Sequence, residues 1–236
     1  MIDTLLLHAP DAAFVEPYIR RALPGVKIVY DRKDAAPDIA VMLSSTDIYG
    51  IGAADMLTEE APLQGPCKAR EDAFAELAAG VPTLILRCPD IIATGMNGFP
   101  RELAEKVHKG TFFHFPGNES RRSAVHATDI AEVVKRVAVA GLPHKGVNVY
   151  NITDGEHPTI HDLAEALAYR MGNKRISNLS TWGQRWLGRM LYGRRLMSLY
   201  TTTRTYSSAA LETDLHFTPT PVCTYMRTHV YDNDSL

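Results

Sequence analysis

The run I-A-V-M-L-S-S-T at positions 39–46 fixes the class of fold. Five apolar residues in a row are cut off by three hydroxyls, Ser44, Ser45 and Thr46. The run does not alternate and is too short for a core helix. It reads as a strand buried on both faces, which is what a parallel sheet covered by helices requires. In open sheets of that kind, ligands collect at the carboxyl ends of the strands. The three hydroxyls therefore stand where binding or chemistry takes place, against the plainer reading of a polar turn.

The flanking pattern repeats strand and helix. Residues 4–9 read as a strand. Asp11 then caps a helix over 12–23, with Phe14, Val15, Tyr18, Ile19 and Leu23 on one face, and Pro17 is tolerable only near its first turn. Pro24-Gly25 stops it, and strands at 26–30 and 39–45 follow. Further on come a helix at 68–79, a strand at 82–87, a helix at 100–109, and a loop of aromatic and polar residues at 111–123. After these come a helix at 129–140 started by Asp129, a strand at 147–152, and a helix at 160–171 capped by Thr159. Two short helices lie near 208–214 and 222–230. This order predicts an α/β chain: a shortened, Rossmann-like parallel sheet flanked by helices, with a small, mostly helical C-terminal substrate lobe. The expected division is 1–155 for the core and 156–236 for most of the lobe, with an interleaved boundary.

The net charge of −2 over 236 residues gives no electrostatic footprint for nucleic acid. Cys67, Cys88 and Cys223 make no paired framework, which fits a reducing, cytoplasmic setting. No apolar run is long enough for a membrane span, and the N-terminal run lacks the basic flank of a signal peptide. His108, His114 and His126 lack metal-ligand spacing, so no metal is expected. From Ala166 to Leu211 there is no acid, while Arg185, Arg189, Arg194 and Arg195 accompany Trp182, Trp186 and Met190 at helical spacing. That stretch has three readings: an ordinary lobe helix, a lid whose Arg185 and Arg189 face an anionic ligand, or a basic amphipathic helix on an anionic membrane surface.

Several fragments, in order, are S-S-T-D-I-Y-G, T-E-E-A-P-L, Lys68 heading a helix, L-I-L-R, R-S-A-V-H-A-T-D-I-A and V-Y-N-I-T-D-G. Together they resemble the extended short-chain dehydrogenase/reductases, the NAD-dependent epimerase/dehydratase family. The resemblance covers roughly residues 39–171, with a looser echo in L-H-F-T-P-T-P. It implies NAD or NADP as cofactor, hydride transfer, and a sugar-like or anionic small-molecule substrate. It implies that Ser45, with Thr46, holds the reacting oxygen and that Lys68 supplies positive charge. It implies cofactor contacts from Ser44, Lys68, Arg87, Pro89 and Ile91, and substrate contacts from Arg122 and Asn118. It also implies a homodimer contact through helix 68–79, with Phe74 and Leu77 as the contacting residues.

Two departures accompany the resemblance. Four residues before Lys68, where the family's acid/base Tyr stands, the chain has Gln64, whose amide exchanges no proton near neutral pH. Tyr49 belongs to the Y-G turn instead. The family's glycine-rich phosphate loop is replaced by H-A-P-D-A-A-F-V-E, with Ala9, Ala12 or Ala13, and Glu16 at the glycine positions. Asp11 and Glu16 put negative charge where a phosphate needs positive potential. The sheet is also shorter than the family's. Two expectations follow: an oxidoreductase homologue with degenerate motifs, or a catalytically inactive ligand- or partner-binding protein on the same fold. Ser45 lacks a G-x-S-x-G elbow for a hydrolase triad. His8 and Cys67 read as structural, and His126 with Asp129 as a loop-ordering and capping pair.

Overall fold

The computed structural model describes residues 2–114, 117–172, 176–178 and 198–228. A five-stranded, fully parallel sheet forms its centre. Its strands are β1 (Thr4–His8), β2 (Lys27–Val29), β3 (Ile39–Ser45), β5 (Thr83–Cys88) and β9 (Val147–Asn151), in the spatial order β2-β1-β3-β5-β9. The order reverses between β1 and β3: the chain first builds outward to β2, then crosses back and builds the other way. Such a switch point opens a crevice at the carboxyl ends of β1 and β3. The crossing from β2 to β3 has no helix. Asp38 holds its end by accepting the backbone N–H groups of Asp3 and Thr4 at 2.8 and 2.9 Å.

The two-residue period of a strand divides the apolar residues between two faces. Leu5, Leu7, Val41, Leu43, Leu84 and Leu86 point to one face. There they meet the helices α1 (Glu16–Ala22) and α4 (Ala127–Ala140), which pack on each other. Leu6, Ala40, Met42 and Ile85 point to the other face, against Phe74 and Ala78 of α2 (Pro66–Leu77) and the residue after it. Each such aliphatic burial contributes roughly 1.5–3 kcal/mol, so slipping a strand by one residue is prohibitive. A second apolar cluster joins α3 (Gly98–His108), α5 (Ile160–Arg170) and α7 (Val222–Thr228) through Phe99, Leu103, Leu163, Leu167 and Met226.

Several boundaries differ from the sequence expectation, each for a local reason. Residues 13–15 form a 3-10 turn, and α1 starts only at Glu16 with Pro17 in its first turn. Asp11 caps nothing there; it is paired with Arg70 of α2. Helix α4 begins earlier than Asp129 because the His126 ring accepts the Thr128 N–H at 3.1 Å. Asp129 instead holds the loop before α7 through the Thr220 N–H at 2.7 Å. Thr159 caps α5 as the sequence indicates, in a reciprocal box with Asp162. Phe74 is buried in the core, whereas Leu77 is 42% exposed on the outer face of α2.

Three small parallel pairs had no clear signal in the sequence. They are β4 (Ala54–Leu57) with β11 (Arg204–Tyr206), β6 (Asp90–Ile92) with β8 (Ala124–His126), and β7 (Phe113–His114) with β10 (Ser177–Asn178). The first pair matters most, because it brings the late residues Arg204 and Tyr206 beside the end of β3. A further helix, α6 (Ala209–Leu215), packs beside β9. Among the described residues, no helix is long and apolar enough to cross a membrane, and no group of three metal-ligating side chains is assembled.

Candidate functional site

Strand parity sorts the S-S-T hydroxyls. Ser44 falls on the α2 face with Ala40 and Met42, and Ser45 falls on the opposite face with Val41 and Leu43. The Ser44 hydroxyl donates to Glu71 Oε1 at 2.7 Å. Arg87, paired with Ser44 in register, reaches the same carboxylate through Nε at 3.1 Å and Nη2 at 2.8 Å. Its Nη1 meets the Tyr49 hydroxyl at 2.9 Å, and that hydroxyl donates to Asn151 Oδ1 at 2.7 Å. Arg87 and Glu71 are 5% and 7% exposed. This is a buried, bidentate ion pair joining α2 to β5, of the kind whose hydrogen bonds offset desolvation. Burial pushes the Tyr49 phenol above its ordinary pKa, against the opposing pull of Arg87.

In front of that wall, a cavity of about 370 Å³ opens over the ends of β1, β3 and β5. Ser44, Ser45 and Thr46 line it, with Pro89 and Ile91 from beyond β5. The Ser45 Oγ accepts the Asp47 N–H at 3.1 Å and so caps the 3-10 turn at Thr46–Tyr49. Arg122 is buried in the wall. Its Nε donates to Asp90 at 2.6 Å, and its guanidinium stacks over the Phe99 ring at 4.1 Å. Arg204 donates to Asp47 at 2.8 Å and to the Gly50 carbonyl at 3.0 Å. Arg122 and Arg204 are bridge partners in a parallel pairing, so their backbones run side by side.

The structure thus brings Ser44, Ser45, Thr46, Pro89, Ile91 and Arg122 together around one cavity. Other residues singled out from the sequence stand elsewhere. Lys68 is outside the cavity lining, on the exposed side of α2, donating to Asp72 at 2.6 Å. Arg70, two residues on, is the α2 cation that lines the cavity. Arg87 lies behind the wall, with Glu71. Gln64 donates to the Tyr49 carbonyl at 2.7 Å. Asn118 donates to the Tyr200 carbonyl at 2.6 Å and accepts the Ser120 hydroxyl, which gives it a loop-holding place. Arg185 and Arg189 lie outside the described residues. Sequence reasoning placed Asp11 at the turn after the first strand but missed Asp47, Arg70, Asp90, Arg204 and Tyr206 as lining groups. Asp47 sits inside the quoted S-S-T-D-I-Y-G and Asp90 three residues past L-I-L-R, and both carried that signal unread.

A nicotinamide dinucleotide needs a turn after β1 that presents unengaged N–H groups with no side chain in the way. The turn here does not fit it. No glycine occurs between Thr4 and Pro24, so each position carries a Cβ. The Ala12 and Val15 N–H groups are engaged with the Ala9 and Ala12 carbonyls. The Asp11 carboxylate takes the Arg70 guanidinium, and the Asp11 carbonyl takes Asn97 Nδ2 at 2.8 Å. The acid and its two partners strap the turn to α2 and to the loop before α3.

No family model and no curated protein matches the sequence. Solved structures do match the fold. The Bordetella bronchiseptica enzyme WbmH, in complex with NAD+, superimposes with a TM-score of 0.67 at 12% identity, over 97% of this chain and 97% of that one. A dTDP-glucose 4,6-dehydratase from Bacillus anthracis, in complex with NAD, gives 0.62 at 12% identity, over 96% and 95%. A UDP-glucose 4-epimerase from Thermotoga maritima, with UDP-glucose, gives 0.61 at 15% identity, over 96% and 75%. The chain therefore has the α/β fold of the extended short-chain dehydrogenase/reductases, in agreement with the resemblance drawn from its motifs.

Proposed function

We propose that this protein is a ligand-binding form of the epimerase/dehydratase fold, holding a small sugar-like metabolite over the ends of β3 and β5 without hydride transfer. The observation that carries the reading is the β1 turn, which has no glycine between Thr4 and Pro24 and whose Ala12 and Val15 N–H groups are already engaged. The chemistry at Ser45 supports it. Gln64 stands in for the acid/base phenol and is engaged with the Tyr49 carbonyl. The Tyr49 hydroxyl itself is held behind the wall by Arg87 and Asn151. Ser45, Thr46 and the arginine-bearing wall remain able to orient a polar ligand through hydrogen bonds.

Titrating the purified protein with NADH and NADPH, followed by fluorescence and heat, tests the reading. The expected outcome is no saturation at millimolar cofactor and no turnover of cofactor with nucleotide sugars. Micromolar binding of either cofactor overturns it.

A further inference from the structure

We infer that Ser123 and His157 form a nucleophile–base pair at this cavity, equipped to cleave an ester of the bound metabolite by acyl transfer. The inference rests on the reading of the cavity as a ligand site, and it adds a covalent chemistry that needs no dinucleotide.

Ser123 stands just before β8 and belongs to the cavity lining. Its Oγ lies 2.8 Å from Nδ1 of His157, which follows 34 positions later in the turn between β9 and α5. The Tyr206 N–H donates to the same Oγ at 2.9 Å. A serine hydroxyl has one proton, and of these two described partners only the imidazole nitrogen can take it. His157 therefore carries its own proton on Nε2 and turns the Nδ1 lone pair to Oγ. That is the relation a general base needs toward the hydroxyl it activates. The Tyr206 N–H assists, because a donor to Oγ favours the ionised form of the oxygen.

The backbone holds both members in place. His157 has a φ of 49°, in the left-handed region that L residues seldom enter. It is fixed from two sides: its N–H donates to Asp154 Oδ1 at 3.2 Å, and its carbonyl accepts Arg121 Nη1 at 3.2 Å. The Ser123 N–H donates to the Arg204 carbonyl at 2.9 Å. Burial and the Arg121 charge hold the His157 imidazole below its ordinary pKa, against the pull of Glu212 and Asp55. The ring is therefore neutral at pH 7 and free to accept a proton.

In the step, Oγ adds to the carbonyl carbon of the ester as its proton passes to His157 Nδ1. The bond from that carbon to the alcohol oxygen then breaks, and the proton goes to the leaving alkoxide. Water repeats the sequence on the acyl-serine, which releases the acid and restores the hydroxyl. Arg122 adjoins Ser123 in the chain, and Arg204 is bonded to it through the backbone. Both arginines line the cavity and are donors at hand for the charge that develops on the carbonyl oxygen.

An alkyl fluorophosphonate is the probe. An activated serine displaces its fluoride, and mass spectrometry of the digested full chain locates the adduct. The expected result is an adduct on Ser123. His157→Asn tolerates the left-handed backbone and keeps an acceptor for the hydroxyl but is no base, so it should label about 100-fold or more slowly. Folded wild type without an adduct on Ser123 overturns the inference. So does an adduct on Ser45 in its place, or a His157→Asn protein that labels as fast as wild type. Should that variant fail to fold, the pH profile of wild-type labelling decides. With His157 as base the rate levels off below about pH 7, and a rate still climbing at about pH 9 overturns the assignment. Saturation by NADH beside an intact Ser123 adduct would refute the functional reading alone; no adduct in a protein that also ignores NADH would refute this inference alone.

Discussion

The wall behind the cavity and the segment just past β9 each bury a carboxylate, and they treat it in opposite ways. On α2, Glu71 meets the forked guanidinium of Arg87 with two hydrogen bonds and takes a third from Ser44. Beyond β9, Asp154 is 2% exposed and, among the described residues, accepts only from backbone N–H groups, those of His157 and Val222 among them. The first carboxylate is part of a closed network that joins α2, β3, β5 and β9. The second is a joint between the strand's end and α7, with no ion pair among the described residues. Rigidity at the site's rear wall and sensitivity to protons at its flank thus come from the same residue class in different company.

The largest expected effect follows from cutting the paired side. Glu71→Ala leaves Arg87 charged and buried without its partner, at a cost of about 3–5 kcal/mol. Against a typical domain stability of roughly 5–15 kcal/mol, that is enough to bring the chain close to unfolding at room temperature. Urea denaturation of the two proteins measures it. A loss under about 1 kcal/mol would mean that the pair is solvated or dispensable, and the contrast between the two carboxylates would collapse.

The unpaired side gives a pH dependence of the opposite sense to a salt-bridged acid. Burial pushes the Asp154 carboxyl up to about 6, against the backbone N–H groups that favour its ionised form. An unfolded aspartate titrates near 3.9, so between about pH 4 and 6 the folded chain binds more protons than the unfolded one. Stability from this group is therefore present below pH 4 and falls as pH rises toward 6, by on the order of 2 kcal/mol. Asp154→Asn should flatten that slope in denaturation curves taken across the interval. A slope unchanged by the substitution would assign the effect to other groups.

The sequence carried the sheet because its signal is local: apolar runs of strand length, turn residues between them, and hydroxyls at one strand's end. It carried part of the site for the same reason, since Ser44, Ser45 and Thr46 follow directly from the strand that ends in them. Helix phase was harder. Lys68 and Arg70 are two residues apart, and only the docking of Phe74 and Glu71 onto the sheet decides which cation turns inward. Arg204 was out of reach, because its partner Asp47 lies 157 residues away and the strand that presents it is three residues long. A pair such as Arg204 with Asp47 joins residues far apart in the chain, and a local reading of charge carries no signal for it.

That difference in helix phase carries the smallest prediction. Glu71 and Lys68 sit on the same helix, three residues apart, and α2 turns one inward and the other out. Lys68 and Asp72 form an i,i+4 pair with both side chains at least half exposed. Water and salt screen such a pair, and exposed pairs contribute only about 0–1 kcal/mol. The order of charges, cation before acid, is also the less favourable one for a helix. Lys68→Met should therefore change stability by no more than about 0.5 kcal/mol and leave ligand affinity unaltered. Denaturation at low and moderate salt, with a binding isotherm beside it, reads both quantities. A drop in affinity with stability intact would mean that Lys68 swings into the cavity once ligand is present, and the family's cation would have kept its place after all.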